Sequence, residues 1–444
     1  MKKLTLPATE ENILQSIKEN TYDRSNDIKD FIEALDLIED NTFISLDAKW
    51  GEGKTFYVRQ IEQTLKYLSS KQWGLPTANM ESYFSKNNVL NSISLNYSYL
   101  PIYYDAWLYD NHDDPLMSLL LVIAKECKKY LNTKIDSNSV SDKVIALLDS
   151  LSITIGNFSV SGNLKKIKDT FGGQDILASV KTAEEIRECV KTIFNDIIVE
   201  EAQKLVIFID ELDRCRPSFA IEMLERIKHY FGDERIIIVA SVNKEQLVHT
   251  ISKYYGVGFD STGYLNKFFD MNVYLPIINS YYDNRNLINL GLRQYNLKKI
   301  AEGLCEYYKL SLRDSLIFKQ NISFVPDKIV NDHTGEGCVL SAFVPIILIL
   351  DIVNEDERIS FLRGESNVLS KLFENVPALY GMACKFGKGN GEKTEENYKI
   401  GFSEMKEIYN YAFGVKNEKY YTGNVDISND IKAICIKICN GFEK

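Results

Sequence analysis

Two kinds of hydrophobic pattern alternate along the first 280 residues or so of the chain. Short, nearly continuous apolar runs predict strands that are buried on both faces of a parallel sheet. Between them lie longer segments with apolar residues at helical spacing, such as residues 54–68. The predicted strands lie in "NTFISLD" (41–47), "YLPIYYD" (99–105), "KLVIFID" (204–210), "RIIIVAS" (235–241) and "DMNVYLP" (270–276). The alternation of strands and helices predicts a doubly wound, mainly parallel α/β sheet.

Three further local predictions follow from the same patterns. Residues up to about 40 have helical periodicity, and we predict that the polar segment 74–98 is irregular. Ser218 is a predicted N-cap for the amphipathic segment 218–231. Between residues 132 and 185 the pattern changes, and alternation around Gly156 predicts an inserted hairpin.

The remainder of the chain is mainly helical in pattern. We therefore predict a core at 1–280, which includes the insertion at about 132–185, and a helical C-terminal domain at 281–444. The most apolar run, residues 339–350, is too short to span a bilayer and contains Pro345. It predicts a buried helix, and we expect no membrane association.

Composition narrows the class of protein. The 444 residues are 45% hydrophobic and 26% charged, which is ordinary for a globular protein. A net charge of -10 argues against extended nucleic-acid binding but does not exclude a local basic patch. The eight cysteines and four histidines show no metal-ligand spacing, and the amino terminus has no apolar signal run. We expect reduced thiols and a cytoplasmic protein.

The segment "DAKWGEGKTFYV" joins the first predicted strand to a helix and has nearly the spacing of a phosphate-binding loop. Ala48 stands where the first glycine is usual. Backbone N–H groups and a helix N-terminus bind the anion in such loops. Lys54 would reach the terminal phosphates, and Thr55 would ligate Mg²⁺. The predicted nucleotide contacts are Ala48, Trp50, Gly51, Glu52, Gly53, Lys54, Thr55 and Phe56.

A second signal is the apolar strand that ends in Asp210 and Glu211. Ligands of open α/β sheets bind at the carboxyl ends of strands. Asp210 would hold Mg²⁺, and Glu211 would act as general base. Arg214 and Arg216 follow directly, and each suits either an arginine finger or an ion pair.

Other polar and aromatic residues bear on the same site. Asn243 follows the strand at 235–241, where its amide would contact the γ-phosphate or the attacking water. Gln246 stands where guanine recognition requires Asp, which argues against a GTPase. We expect Trp50 to pack around the loop and Trp107 to pack in the core.

Several blocks resemble the KAP family of P-loop NTPases. "AKWGEGKT", "YYDAWLYD", "IDELDRCRP" and "NKFFDMNVYLP" are similar to its motifs in order, with Asp105 where the family usually has Asn. "LSLRD" is similar to a helical-domain motif whose arginine, here Arg313, acts as a sensor of the nucleotide. The resemblance implies an ATPase of the additional-strand class with a helical lid. Asn243 stands where the family tends to have Asp. Prokaryotic relatives suggest a role in phage defence.

These observations predict an ATPase that uses ATP and Mg²⁺ to drive a conformational switch, which is passed to an unknown protein partner. Oligomeric state and an arginine finger in trans stay open. Three other functions are compatible with the motifs: a non-hydrolysing ATP-binding scaffold, a nucleic-acid motor or loader, and a small-molecule kinase.

Overall fold

The structure, a computed structural model, describes most of the chain. The described residues are 6–112, 114–131, 188, 190–191, 202–276, 294–326, 330, 334–386, 392–414, 421–422, 425–426 and 430–439. They form two compact units, Pro7–Ile278 and Met1–Leu6 with Asn279–Lys444, and each is described by itself. The predicted hairpin at 132–185 lies outside the described residues.

A five-stranded parallel sheet forms the centre of the first unit, with strand order β2-β3-β4-β1-β5. The strands are β1 (Thr42–Asp47), β2 (Tyr99–Asp105), β3 (Lys204–Asp210), β4 (Ile236–Val242) and β5 (Met271–Tyr274). β4 lies between β1, which leads into the glycine-containing loop, and β3, which ends in the acidic pair. This is the additional strand that the family resemblance implies.

Helices cover both faces of this sheet. They are α1 (Glu10–Lys18), α2 (Ser25–Asp36), α3 (Lys54–Gln72), α4 (Ala78–Phe84), α5 (Asn88–Asn91), α6 (Ala106–Tyr109), α7 (Pro115–Leu131), α8 (Pro217–Tyr230), α9 (Lys244–Tyr255) and α10 (Ser261–Leu265). Alternate residues of β3 face two different cores, because side chains alternate along a strand. Ile207 packs on the side of α7 and α8, and Phe208 packs on the side of α2 and α3. The doubly wound prediction is confirmed.

One local prediction is refined and two need correction. The described residues up to 40 are largely helical, as predicted, but they form two helices with a short 3₁₀ turn at Thr21–Asp23 between them. The segment predicted to be irregular contains α4 and α5, which tertiary contacts hold: Phe84 is fully buried and stacks on Tyr67 with ring centroids 4.2 Å apart. Helix α8 begins at Pro217 rather than after Ser218, because proline suits the first helical position.

The described residues of the second unit form helices and one short antiparallel pair of strands, β6 (Tyr421–Thr422) and β7 (Val425–Asp426). Its helices are α11 (Tyr295–Tyr308), α12 (Leu312–Ile322), α13 (Gly335–Val353), α14 (Glu355–Leu362), α15 (Val368–Asn375), α16 (Pro377–Phe386), α17 (Glu395–Phe413) and α18 (Ile431–Cys439). The aromatic rings of Phe343, Phe361, Tyr409 and Phe413 contact one another in its core.

Helix α13 contains the most apolar run of the chain. Its side chains from Val339 to Leu350 are buried in the core of the second unit, which confirms the predicted buried helix. Among the helices that the structure describes, it is the one whose length and apolarity match those of a membrane span. Pro345 lies within it.

The burial of β3 leads to a stability prediction. Leu205→Ala should lower the free energy of unfolding of the first unit by about 2–5 kcal/mol, because it leaves a cavity at a fully buried position. Leu37→Ala is the matched control, since Leu37 is 77% exposed, and it should cost less than about 1 kcal/mol. Urea denaturation followed by circular dichroism measures both, and equal losses would contradict the packing described for β3.

Candidate functional site

The strand register brings the ends of β1, β2, β3 and β4 to one edge of the sheet. Asp105 pairs with Asp210, Asp210 with Ser241, and Asp47 with Val242. All these pairs are parallel, so the residues that follow each strand emerge on the same side. The glycine-containing loop after β1 and the acidic pair at the end of β3 therefore lie close together.

The loop at residues 48–53 curls tightly before α3 begins. Gly51 and Gly53 have φ angles of 86° and 85°, in the left-handed region that side-chain-bearing residues rarely adopt. Lys54 is the first residue of α3, so the loop ends at a helix N-terminus with its unpaired backbone N–H groups. This arrangement is a ready-made anion site.

Lys54 is a buried cation of this site, with 9% of its surface exposed. Its ammonium donates hydrogen bonds to the carbonyls of Ala48 at 2.6 Å and Lys49 at 3.2 Å. Burial lowers the pKa of Lys54, and the carboxylates of Asp213, Asp210, Glu211 and Asp47 oppose that shift. The lysine thus stands among four acidic groups.

Thr55 and the acidic pair meet across the sheet edge. The Thr55 hydroxyl donates to Glu211 Oε1 at 3.3 Å. Asp210 is almost fully buried, and the Tyr103 hydroxyl donates to its Oδ2 at 3.0 Å. Burial raises the pKa of Asp210, while hydrogen bonds from hydroxyl groups and the Glu211 amide oppose the shift. Hydroxyl and carboxylate oxygens are the ligand types that Mg²⁺ prefers.

Glu211 occupies a strained position and forms an ion pair. Its φ of 60° is left-handed, and such strain clusters at functional sites. Arg214 Nε pairs with Glu211 Oε2. Burial, together with Asp210, raises the pKa of Glu211 to about 7, although Arg214 opposes the shift. The carboxyl group therefore titrates near neutral pH.

Trp50 joins the loop to the turn after β3. Its indole N–H donates to Asp213 Oδ2 at 2.5 Å, while 45% of the residue is exposed. Burial raises the pKa of Asp213, and Lys54 and the Trp50 hydrogen bond oppose that shift. The loop tip and the acidic turn are thus connected directly.

Comparison with known proteins agrees with this geometry. The family profile described as the KAP family P-loop domain matches residues 22–301, which is more than half of the chain. The chain belongs to the KAP family of P-loop NTPases. It is also 28% identical over 162 residues to an uncharacterized protein, MJ0182, of Methanocaldococcus jannaschii. That alignment covers 29% of this chain and 82% of the relative.

Membership of the KAP family indicates nucleotide binding and hydrolysis. The predicted loop residues lie between the end of β1 and the first turn of α3. Ala48 continues the sheet contact, with its N–H donating to the Val242 carbonyl at 3.2 Å. Phe56 packs against the core on the α2 and α3 side, and the Glu52 carbonyl accepts from Arg24.

Two residues with predicted nucleotide contacts have other partners in this KAP domain. Asn243 caps α9 by accepting from the Gln246 amide at 3.3 Å, so a contact with phosphate would come from its side-chain N–H group. Arg216 Nη2 donates to the Asp110 carbonyl, and its backbone N–H donates to Asp110 Oδ2 at 3.0 Å. About half of the Arg216 side chain, 53%, is exposed.

Trp107 differs from the expectation of core packing, because 55% of it is exposed. The Arg214 guanidinium lies over its ring at 5.5 Å. Aromatic character alone suggested burial, but Trp107 lies on the short helix α6 at the carboxyl edge of the sheet. Arg313 lies near the start of α12 in the second unit, and its sensor role stays a prediction.

The structure supports no cysteine or histidine metal site among the residues it describes. Cys435 is buried and Cys439 partly buried on α18, as the spacing predicted for packing. His112, His229 and His249 are exposed. His333 lies outside the described residues.

Sequence reasoning missed two residues that contact the site. Arg24 donates to two carbonyls of the phosphate loop, and Tyr103 holds Asp210. Tyr103 lies in "YLPIYYD", two residues before the end of β2. The parallel pairing of β2 with β3 is the feature that could have indicated its contact with Asp210. Arg24 stands before an amphipathic helix, where an arginine has no distinctive local pattern.

The raised pKa of Glu211 yields a prediction about stability and pH. A carboxyl whose pKa rises from 4.5 to about 7 on folding stabilises the fold below about pH 4.5, and this contribution is lost as pH rises through about 7. The difference in unfolding free energy between the native protein and Glu211→Gln should therefore shift against the native protein as pH rises from 4.5 to about 7.

Urea denaturation at several pH values measures this difference. Glu245→Gln, which removes an exposed carboxyl on α9, controls for charge loss at the surface. A difference that does not change with pH, or that changes in the native protein's favour, would show that Glu211 is not destabilised in its ionised form.

Proposed function

We propose that this KAP protein binds ATP with Mg²⁺ at the carboxyl edge of its sheet and hydrolyses it. The observation that carries the proposal is the meeting of Thr55, at the start of α3, with Glu211, at the end of β3, at 3.3 Å. Lys54 and Asp210 flank this pair in sequence and share its site. A phosphate anchor and a candidate base are therefore adjacent.

The loop, Lys54 and Glu211 each have a separate role in the proposed hydrolysis. Backbone N–H groups of the loop bind the phosphates, and the Lys54 ammonium exchanges its loop carbonyls for phosphate oxygens. Glu211 takes a proton from the attacking water, and a pKa of about 7 suits proton transfer near neutral pH. The water oxygen forms a bond to the γ-phosphorus as the bond to the leaving ADP oxygen breaks.

The oxygen-rich set at Thr55 and Asp210 fits Mg²⁺. Asp210 is buried, and its carboxylate accepts hydrogen bonds from the Tyr103 hydroxyl and the Glu211 backbone N–H, both at 3.0 Å. When bound, the ion would neutralise phosphate charge next to the acidic groups. Lys54 faces the charges of four carboxylates at this edge, so a divalent cation would add the positive charge that the phosphates require.

We further propose that hydrolysis acts as a switch passed to a protein partner. A γ-phosphate makes contacts in only one of the two nucleotide states, which can bias a bistable element. Arg214 joins the base to the exposed ring of Trp107, so one contact chain runs from Glu211 to the surface. A role in phage defence rests on the family resemblance alone.

Substitutions of Lys54 and Glu211 separate binding from turnover. Lys54→Ala should weaken ATP binding at least about 10-fold, because it removes charge-assisted hydrogen bonds to phosphate. Glu211→Gln should keep ATP binding and lower turnover by about 100-fold or more, because the amide cannot accept the proton. Calorimetric titration with ATP and Mg²⁺ and phosphate release measure the two effects.

Matched surface variants control for these substitutions. Lys228→Ala removes an exposed, ion-paired lysine, and Glu245→Gln removes an exposed carboxyl; both should bind and turn over ATP as the native protein does. Binding without turnover in every protein would indicate the non-hydrolysing scaffold. Turnover that appears only with added DNA would indicate the nucleic-acid ATPase.

A further inference from the structure

Arg24 is a buried arginine that contacts the phosphate loop from a distant part of the chain. It lies directly before α2, and 2% of it is exposed. Its Nη1 donates to the Gly53 carbonyl at 3.2 Å, and its Nη2 donates to the Glu52 carbonyl at 3.1 Å. A single guanidinium therefore holds the last two carbonyls of the loop.

These carbonyls matter because the loop must direct its N–H groups, and not its carbonyl oxygens, at an anion. Carbonyl oxygens directed away from the site still require donors when they are buried. Lys54 donates to the carbonyls of Ala48 and Lys49, and Arg24 donates to those of Glu52 and Gly53. The Gly53 carbonyl also accepts from the Tyr57 N–H at 3.1 Å, so Arg24 adds a second donor there. A bound phosphate would compete with the loop carbonyls for the Lys54 ammonium. The hydrogen bonds from Arg24 to the loop carbonyls would remain, because Arg24 does not contact the phosphate.

The surroundings of Arg24 hold its side chain in place. The guanidinium lies 5.3 Å from the ring centroid of Tyr57 on α3, and the Tyr57 hydroxyl donates to the Asp27 carbonyl at 2.9 Å. Tyr57 is itself fully buried. The arginine is thus fixed between α2 and α3, the helix that carries Lys54 and Thr55.

The turn before Arg24 is unusual in its backbone. Asn20, Tyr22 and Asp23 have φ angles of 48°, 65° and 54°, all left-handed and none on glycine. The Asn20 side chain accepts from the Ser25 N–H at 3.0 Å, which stabilises the turn. Left-handed residues with side chains persist only where surrounding contacts compensate for them. This turn places the Arg24 side chain within hydrogen-bonding distance of the phosphate loop.

We propose that Arg24 is a positioning residue for nucleotide binding. It holds the Glu52 and Gly53 carbonyls away from the phosphates and so keeps the loop in its anion-binding conformation. The inference rests on the proposed nucleotide site but assigns Arg24 no contact with the nucleotide. Its effect should therefore fall on nucleotide affinity rather than on the chemical step.

The test uses Arg24→Met and Arg24→Lys in the full chain. Arg24→Met should weaken ATP and ADP binding by about 10- to 100-fold, because two charge-assisted hydrogen bonds are lost. KM should rise by a similar factor, while kcat at saturation stays within about 3-fold of the native value. Arg24→Lys keeps the charge but not the planar fork, so it should restore affinity only in part.

A second readout needs no nucleotide. Hydrogen–deuterium exchange of peptides that cover residues 48–55 should be faster in Arg24→Met than in the native protein. Arg235→Met is the matched control, because it removes a guanidinium that pairs with Asp233 at the opposite end of β4. It should leave affinity and loop exchange unchanged, and circular dichroism establishes that each variant is folded.

The outcomes separate this inference from the proposed function. Folded Arg24→Met that binds nucleotide and exchanges its loop amides as the native protein does would overturn the role of Arg24. A native protein that binds no nucleotide would instead refute the proposed function. Loop exchange would still decide whether Arg24 holds the loop. A fall in kcat with unchanged KM would also overturn the positioning role.

Discussion

The parallel register of β1, β3 and β4 is the constraint on which the site depends. It places the residues that follow each strand at one edge, so the Thr55 hydroxyl donates to Glu211 although the two residues are 156 positions apart in the sequence. A shift of one residue in any strand would reverse which side chains face the core. The apolar cores on both faces of β3 therefore hold the site as well as the fold.

Charge at this edge is strongly unbalanced. Four carboxylates surround one buried lysine, and burial raises the pKa of Asp210, Glu211 and Asp213. Charged groups in such surroundings are costly unless hydrogen bonds or opposite charges compensate. Tyr103, Trp50 and Arg214 each contact one of these acids. An excess of carboxylates next to a phosphate site also gives a physical reason for a divalent cation.

The fold was largely predictable because its signals are local. Strands buried on both faces appear as continuous apolar runs, as in β3, and the spacing from Gly51 to Thr55 lies within one loop. The short helices α4 and α5 were missed because their segment is polar and their stability comes from contacts such as the Phe84–Tyr67 stack.

The site was predictable only in part for the same reason. Lys54, Thr55, Asp210 and Glu211 lie in two short motifs, and each motif can be recognised from its local spacing. Arg24 reaches the loop across 29 residues, and Tyr103 reaches Asp210 across 107, so neither contact leaves a pattern in its own segment. The exposure of Trp107 likewise depends on where the end of β2 lies in the folded sheet, which the residue types around Trp107 do not reveal.

A crystal structure of the protein with Mn²⁺ and a non-hydrolysable ATP analogue would test the central claim most directly, because Mn²⁺ is visible by its anomalous scattering. The account predicts that Thr55 Oγ1 ligates the metal, with Asp210 beside it. It also predicts that Lys54 leaves the Ala48 carbonyl for the phosphates. A metal and nucleotide bound elsewhere, with Lys54 still on its loop carbonyls, would contradict the account.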